Sequence, residues 1–183
     1  MELPADLPEP IDDGACDHLA GMPVPPTALA ATDGTQVDLS ALAGRTVVYA
    51  YPRTGRPGEP SLVDDWDLIP GARGCTPETC GFRDHHAELA AAGARVFGLS
   101  TQESDYQREV AERLGLPFAI LSDSRLELTS RLDLPTFAAA GQTLHKRHTL
   151  VVKDGAIEHV FYPVFPPDRH ASEVLAWLAS DSL

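Results

Sequence analysis

Residues 74 to 84 read Gly74-Cys75-Thr76-Pro77-Glu78-Thr79-Cys80-Gly81-Phe82-Arg83-Asp84, and they hold two of the three cysteines. Thr76 is a good N-cap and Pro77 suits the first helical position. Glu78 favours the positive end of the dipole, while Phe82, His86 and Leu89 continue one face. A helix over about 78–92 is therefore expected, with Cys75 at its N-terminus. Unpaired N–H groups there stabilise a thiolate and lower the thiol pKa, so Cys75 is the candidate nucleophile.

Cys80 poses a question of geometry. Residues i and i+5 of an α-helix have Cα atoms roughly 8.7 Å apart, beyond the roughly 4.4–6.8 Å a disulfide wants. The pair can bond only if the first turns unwind. Pro77 and Gly81 make that easy, one lacking an N–H and the other lowering helix propensity. We expect a helix that is folded when reduced and locally unravelled when oxidised.

Working outward, Thr46–Tyr51 is apolar on both faces and reads as a central buried strand ending at Pro52. Residues 52–73, rich in proline and glycine, form a long loop back to the cysteine turn, with Trp66 able either to shield the site or to decorate the surface. Ala94–Ser100 reads as a second strand, Ser104–Leu114 as a helix stopped by Gly115, and Phe118–Leu121 as a third strand. Leu126–Leu132 is a short helix. Thr27–Ala31 and Gln36–Val37 flank an Asp33-Gly34 turn, and Asp154-Gly155 joins the strands His148–Val152 and Ala156–Tyr162. A helix over Ala171–Ala179 closes the chain. Strands alternating with helices imply an α/β domain, a mixed sheet with helices on both faces, over 27–183. Residues 1–26 read as an irregular arm in which Cys16 is an incidental thiol.

With 183 residues and 43% hydrophobic content, the chain supports one domain with a sizeable core. A net charge of −13 and a pI near 4.7 argue against nucleic-acid and acidic-membrane partners. No apolar run approaches a membrane span, and the first residues lack the pattern of a signal peptide, which implies a cytoplasmic protein. In that compartment two close thiols imply redox cycling or a metal rather than a permanent staple.

The Gly74-Cys75-Thr76 and Cys80-Gly81-Phe82-Arg83-Asp84 motifs, the strand Arg147-His148-Thr149-Leu150-Val151-Val152, and Ile157–Phe161 and Val174–Leu178 follow one another in a known order. Over roughly 27–180 the chain resembles the peroxiredoxins, in particular the peroxiredoxin Q or bacterioferritin comigratory protein branch. The resemblance implies a thioredoxin-like fold and a thiol peroxidase with no cofactor. It makes Cys75 the peroxidatic cysteine, Cys80 its resolving partner and Arg147 the active-site arginine, with a thioredoxin-like dithiol protein as reductant and a monomer or small homodimer as the assembly.

One departure stands out. The family's proline and threonine, seven and three residues before the peroxidatic cysteine, are replaced here by Leu68 and Ala72. Pro52 and Thr54 stand instead just after the central strand, so Thr54 is the candidate for the missing hydroxyl. Arg53, Arg56, Arg73 and Arg83 lie near the cysteines in sequence, but Glu59, Asp64, Asp65, Asp67 and Glu78 do too, and no basic patch is expected. His85, His86, His145 and His148 read as surface or core histidines. Rival readings are a thiol-disulfide oxidoreductase, disfavoured by the four-residue spacer, a copper-binding assembly factor on the same scaffold, and a redox-sensing module.

Overall fold

The computed structural model describes residues 2–181. β3 (Arg45–Ala50) lies at the heart of a seven-stranded mixed sheet. It pairs in parallel with β4 (Ala94–Ser100) and antiparallel with β8 (His148–Lys153). β5 (Ile120–Ser122) continues the sheet beyond β4, and β1 (Leu29–Ala31) and β2 (Gln36–Val37) complete that side. On the other side β9 (Ala156–Phe161) pairs with β8, giving the order β2-β1-β5-β4-β3-β8-β9. Alternation along β3 divides the interior. Val48 and Ala50 face a core with Leu99, Leu121, Leu150 and Val152, whereas Val47 and Tyr49 face another with Phe82, Leu89, Val110 and Val174.

The second core is roofed by α1 (Cys75–Asp84), α2 (His86–Ala91), α3 (Ser104–Leu114) and α5 (His170–Asp181). The first is covered by α4 (Glu127–Leu132) together with Cys16, Leu19 and Val24 from the N-terminal segment, which forms turns over residues 14–21. The mixed sheet with helices on both faces is as expected. The hairpins at Asp33-Gly34 and Asp154-Gly155 and the stop of α3 at Gly115, in the left-handed conformation, are also where the residues place them.

Three expectations are revised. The helix of 78–92 is two helices: α1 starts three residues earlier, at Cys75, and the chain breaks at His85 (φ −98°, ψ 9°) before α2. A third hairpin, β6 (Thr136–Ala139) with β7 (Gln142–His145), forms a separate two-stranded sheet around Ala140-Gly141, both at positive φ. Finally, Trp66 does not decorate the surface. It sits in a short 3-10 turn, buried in a small third core with Ala72, Ala139 and Leu144, and this core ties the long loop to the extra hairpin.

Candidate active site

The end of β3 and the start of α1 meet at Cys75. The helix is not capped by Thr76: its N-cap is Gly74, with no side-chain cap, and Glu78 N–H donates to the Gly74 carbonyl at 3.0 Å. Gly74 adopts φ +113°, and a Cβ there would stand 2.3 Å from Pro167 Cγ, so only glycine fits the turn into the helix. The N-terminal segment approaches the same turn, because an added Cβ would meet Leu3 at 3.5 Å from Gly74 and Pro10 at 3.6 Å from Gly71.

Two contacts hold the first turns of α1 onto β3. Tyr49 O–H donates to Thr79 Oγ1 at 3.3 Å, and the Tyr49 ring stacks on Phe82 with centroids 4.3 Å apart. Tyr49 lies against Gly98, its partner in register on β4, where a side chain would meet the phenol oxygen at 3.0 Å.

Arg147 stands immediately before β8 and reaches the sulfur. Its NH2 donates to Cys75 Sγ at 3.2 Å and to the carbonyls of Gly71 and Ala72, each at 3.1 Å. Its NH1 donates to Glu78 Oε2 at 3.2 Å, and both side chains of this ion pair are almost wholly buried. Arg147 Nε and Glu78 Oε1 have no hydrogen-bond partner, so the pair is incompletely satisfied. The role of Glu78 was not legible in the sequence, where it reads only as a dipole-matching residue. The thiol itself lies 3.7 Å from the Ala72 carbonyl.

In this conformation burial pushes the Cys75 thiol up. The Arg147 guanidinium beside it and the Arg53 backbone N–H pull it down, and Glu78 pushes it up. The expected depression at the helix N-terminus is thus outweighed, because Cys75 is only 4% exposed and burial disfavours its charged form. Burial likewise raises Glu78 against the pull of Arg147.

Cys80 lies five residues further along α1 and is half-buried; Cys16, Cys75 and Cys80 are all free thiols. Thr54 is buried, and its hydroxyl donates to Gln102 Oε1 at 3.3 Å while Gln102 Nε2 donates to the Thr54 carbonyl at 3.0 Å. The structure therefore brings Arg147 to Cys75, holds Cys80 on the same helix, and turns the Thr54 hydroxyl towards Gln102. Among the described residues no three of His, Cys, Asp and Glu converge so as to hold a metal ion. No described helix is long and apolar enough to cross a membrane.

Cys75 opens onto a cavity of about 420 Å³ formed by the loop that follows β3. Arg53, Arg56, Arg73 and Arg113 line it against a single carboxylate, Glu59. A basic lining exists after all: three of these arginines come from the loop and Arg113 from α3, a convergence that sequence distance hides.

Fold and site together describe a thioredoxin-like chain built round a buried, arginine-bonded cysteine. The family model described as Redoxin matches residues 19–178. Peroxiredoxin Bcp of Escherichia coli (strain K12) is 34% identical over 164 residues, covering 87% of this chain and 94% of that protein. The chloroplastic peroxiredoxin Q of Oryza sativa subsp. japonica is 32% identical over 162 residues, 87% of this chain but 66% of the rice protein. Among solved structures, peroxidoxin BcpB of Mycobacterium tuberculosis superposes with a TM-score of 0.71 at 28% identity, covering 89% of this chain and 98% of that one. The chain belongs to the redoxin family, in its peroxiredoxin Q and bacterioferritin comigratory protein branch.

Proposed function

We propose that the chain is a thiol-dependent peroxidase acting on hydrogen peroxide or an organic hydroperoxide at Cys75. The observation that carries the reading is the Cys75 sulfur at the first residue of α1, 3.2 Å from the Arg147 guanidinium and at the foot of a cavity. The thiolate attacks one peroxide oxygen. An S–O bond forms as the O–O bond breaks, sulfur gives up two electrons to become a sulfenic acid, and the leaving oxygen takes a proton and departs as water or an alcohol. Arg147 and the Arg53 N–H are fixed donors for the charge that develops on those oxygens. Thr54, next in the chain to Arg53, is assigned to orient the peroxide once its hydroxyl turns from Gln102.

Cys80 then attacks the sulfenic sulfur, forming the disulfide and expelling water. For this the first turns of α1 must open, giving up the Arg147–Glu78 pair and the Tyr49–Thr79 hydrogen bond. A dithiol protein, thioredoxin or a relative, reduces the disulfide by exchange and is itself oxidised. Action in the cytoplasm, as a monomer or small homodimer, belongs to the same proposal.

Mass spectrometry after one equivalent of hydrogen peroxide tests the scheme. The expected products are a 75–80 disulfide in the wild type and a Cys75 sulfenic acid in Cys80→Ser. Peroxide consumption that survives Cys75→Ser would rule the scheme out.

A further inference from the structure

The cavity above Cys75 is far larger than hydrogen peroxide requires and is of the size that holds an organic molecule. Its walls differ in character. Leu62, Trp66 and Pro60 supply apolar surface, and Arg53 and Arg56 supply charge. Arg73 is paired with Asp67 at 2.7 Å and Arg113 with Glu109 at 2.7 Å, but Arg53 and Arg56 are in no ion pair among the described residues. Their guanidinium carbons lie 5.4 Å and 4.2 Å from the centre of the Tyr106 ring, and Arg53 NH2 donates to the Tyr106 oxygen at 3.2 Å. Arg56 Nε is buried without a partner. Tyr106 O–H in turn donates to Glu59 at 3.3 Å, so the one carboxylate of the lining is set against two cations.

Two guanidinium groups held in place by an aromatic ring form a prearranged receptor for a planar anion, since little side-chain freedom remains to be lost on binding. In a chain of net charge −13, an acidic ligand gains nothing from the overall field and needs such a local site. We propose, building on the peroxidase reading above, that Arg53 and Arg56 determine specificity by binding the carboxylate of an organic hydroperoxide. The apolar body of this substrate lies against Leu62 and Trp66, and its peroxide group reaches Cys75. The chemistry at sulfur is unchanged: the product is the corresponding hydroxy acid, with the two electrons supplied by Cys75.

A matched pair of substrates isolates the effect: cumene hydroperoxide and its 4-carboxylate. The readout is the ratio of their second-order rate constants by stopped flow, in which changes common to both substrates cancel. The wild type is expected to favour the carboxylate by about tenfold, as a charge-assisted guanidinium bond of ordinary strength gives. The ratio should fall to about one in Arg53→Gln/Arg56→Gln, drop below one in Arg56→Glu, and shrink with added salt. A wild-type ratio near one, or a ratio unchanged in the double variant, overturns the proposal. Calorimetry with the unreactive 4-isopropylbenzoate is a second measurement that needs only the single variant Arg56→Gln. Binding by the wild type that weakens several-fold in the variant is expected, and no binding by the wild type overturns the proposal. Consumption of neither hydroperoxide nor of hydrogen peroxide would defeat the peroxidase reading and this inference together, whereas consumption of hydrogen peroxide alone, or equal consumption of both hydroperoxides, defeats this inference alone.

Discussion

Replacing Gly74 by alanine tests how the cysteine is placed. The residue sits at φ +113°, ψ 13°, where a side chain adds strain of about 1–2 kcal/mol. The new methyl would also stand 2.3 Å from Pro167 Cγ and 3.2 Å from its Cβ. A proline ring in a 3-10 turn has no rotamer to escape into, so the collision adds an overpacking cost of about 1–3 kcal/mol. The sum is roughly 3 kcal/mol, and at about 2–4 °C per kcal/mol for a chain of this size the melting temperature should fall by roughly 9 °C. Gly93→Ala is the control. Its φ is +83°, but nothing lies within 4 Å of an added Cβ, so only backbone strain of about 1 kcal/mol applies. Circular-dichroism melts of both variants separate the collision from the strain. Relief of the collision would displace the start of α1 relative to Arg147, and a displacement near 1 Å lowers the peroxide rate constant by about 100-fold. If Gly74→Ala melts with Gly93→Ala and reacts like the wild type, the claim that Pro167 fixes this turn is wrong.

Arg147→Met leaves the buried Glu78 unpaired and should cost about 3–5 kcal/mol by urea denaturation, with most of the loss recovered in the double variant that adds Glu78→Met; no recovery would show that the two do not act as a pair. Burial holds His145 at about 3 and His148 at about 4, below the 6.5 of a free imidazole. Because these folded-state values are depressed, the stability they confer is complete above pH 6.5 and is lost as pH falls from 6.5 towards 4 for His148 and towards 3 for His145; an NMR titration showing either ring protonated with a midpoint above 6 would contradict this. Thr54→Val should slow the reaction with peroxide by about tenfold or more if its hydroxyl orients the substrate, and an unchanged second-order rate constant removes Thr54 from the site.

Local signals explain which parts of this molecule could be read from sequence. β4 has the same bounds in sequence and structure because Val96, Phe97 and Leu99 give it an apolar centre just after Gly93, and the Asp154-Gly155 turn marks the hairpin of β8 and β9. The Cys75 turn was legible in outline, but its cap was not. Thr76 is a better cap than Gly74 by side-chain chemistry, but the helix begins one residue before it at Cys75, and the close approach of Pro167, more than ninety residues away, leaves room only for glycine at the cap. No glycine or proline announces the break at His85. The Ala140-Gly141 turn gave a weaker signal than Asp-Gly, so the third hairpin was missed, and with it the partners that bury Trp66. Arg147 was found through family likeness, whereas Glu78, the cationic cavity and the commitment of Thr54 to Gln102 depend on pairings between distant segments.

The segment bearing Leu3 and Pro10 runs beside the turn that presents Cys75, and Asp13 further along it bonds both Lys146, the neighbour of Arg147, and Tyr162. Leu3, Pro10 and Asp13 thus act as a strap across the approach to the cysteine, and a substitution that loosens any of them would be felt at Cys75 without touching it.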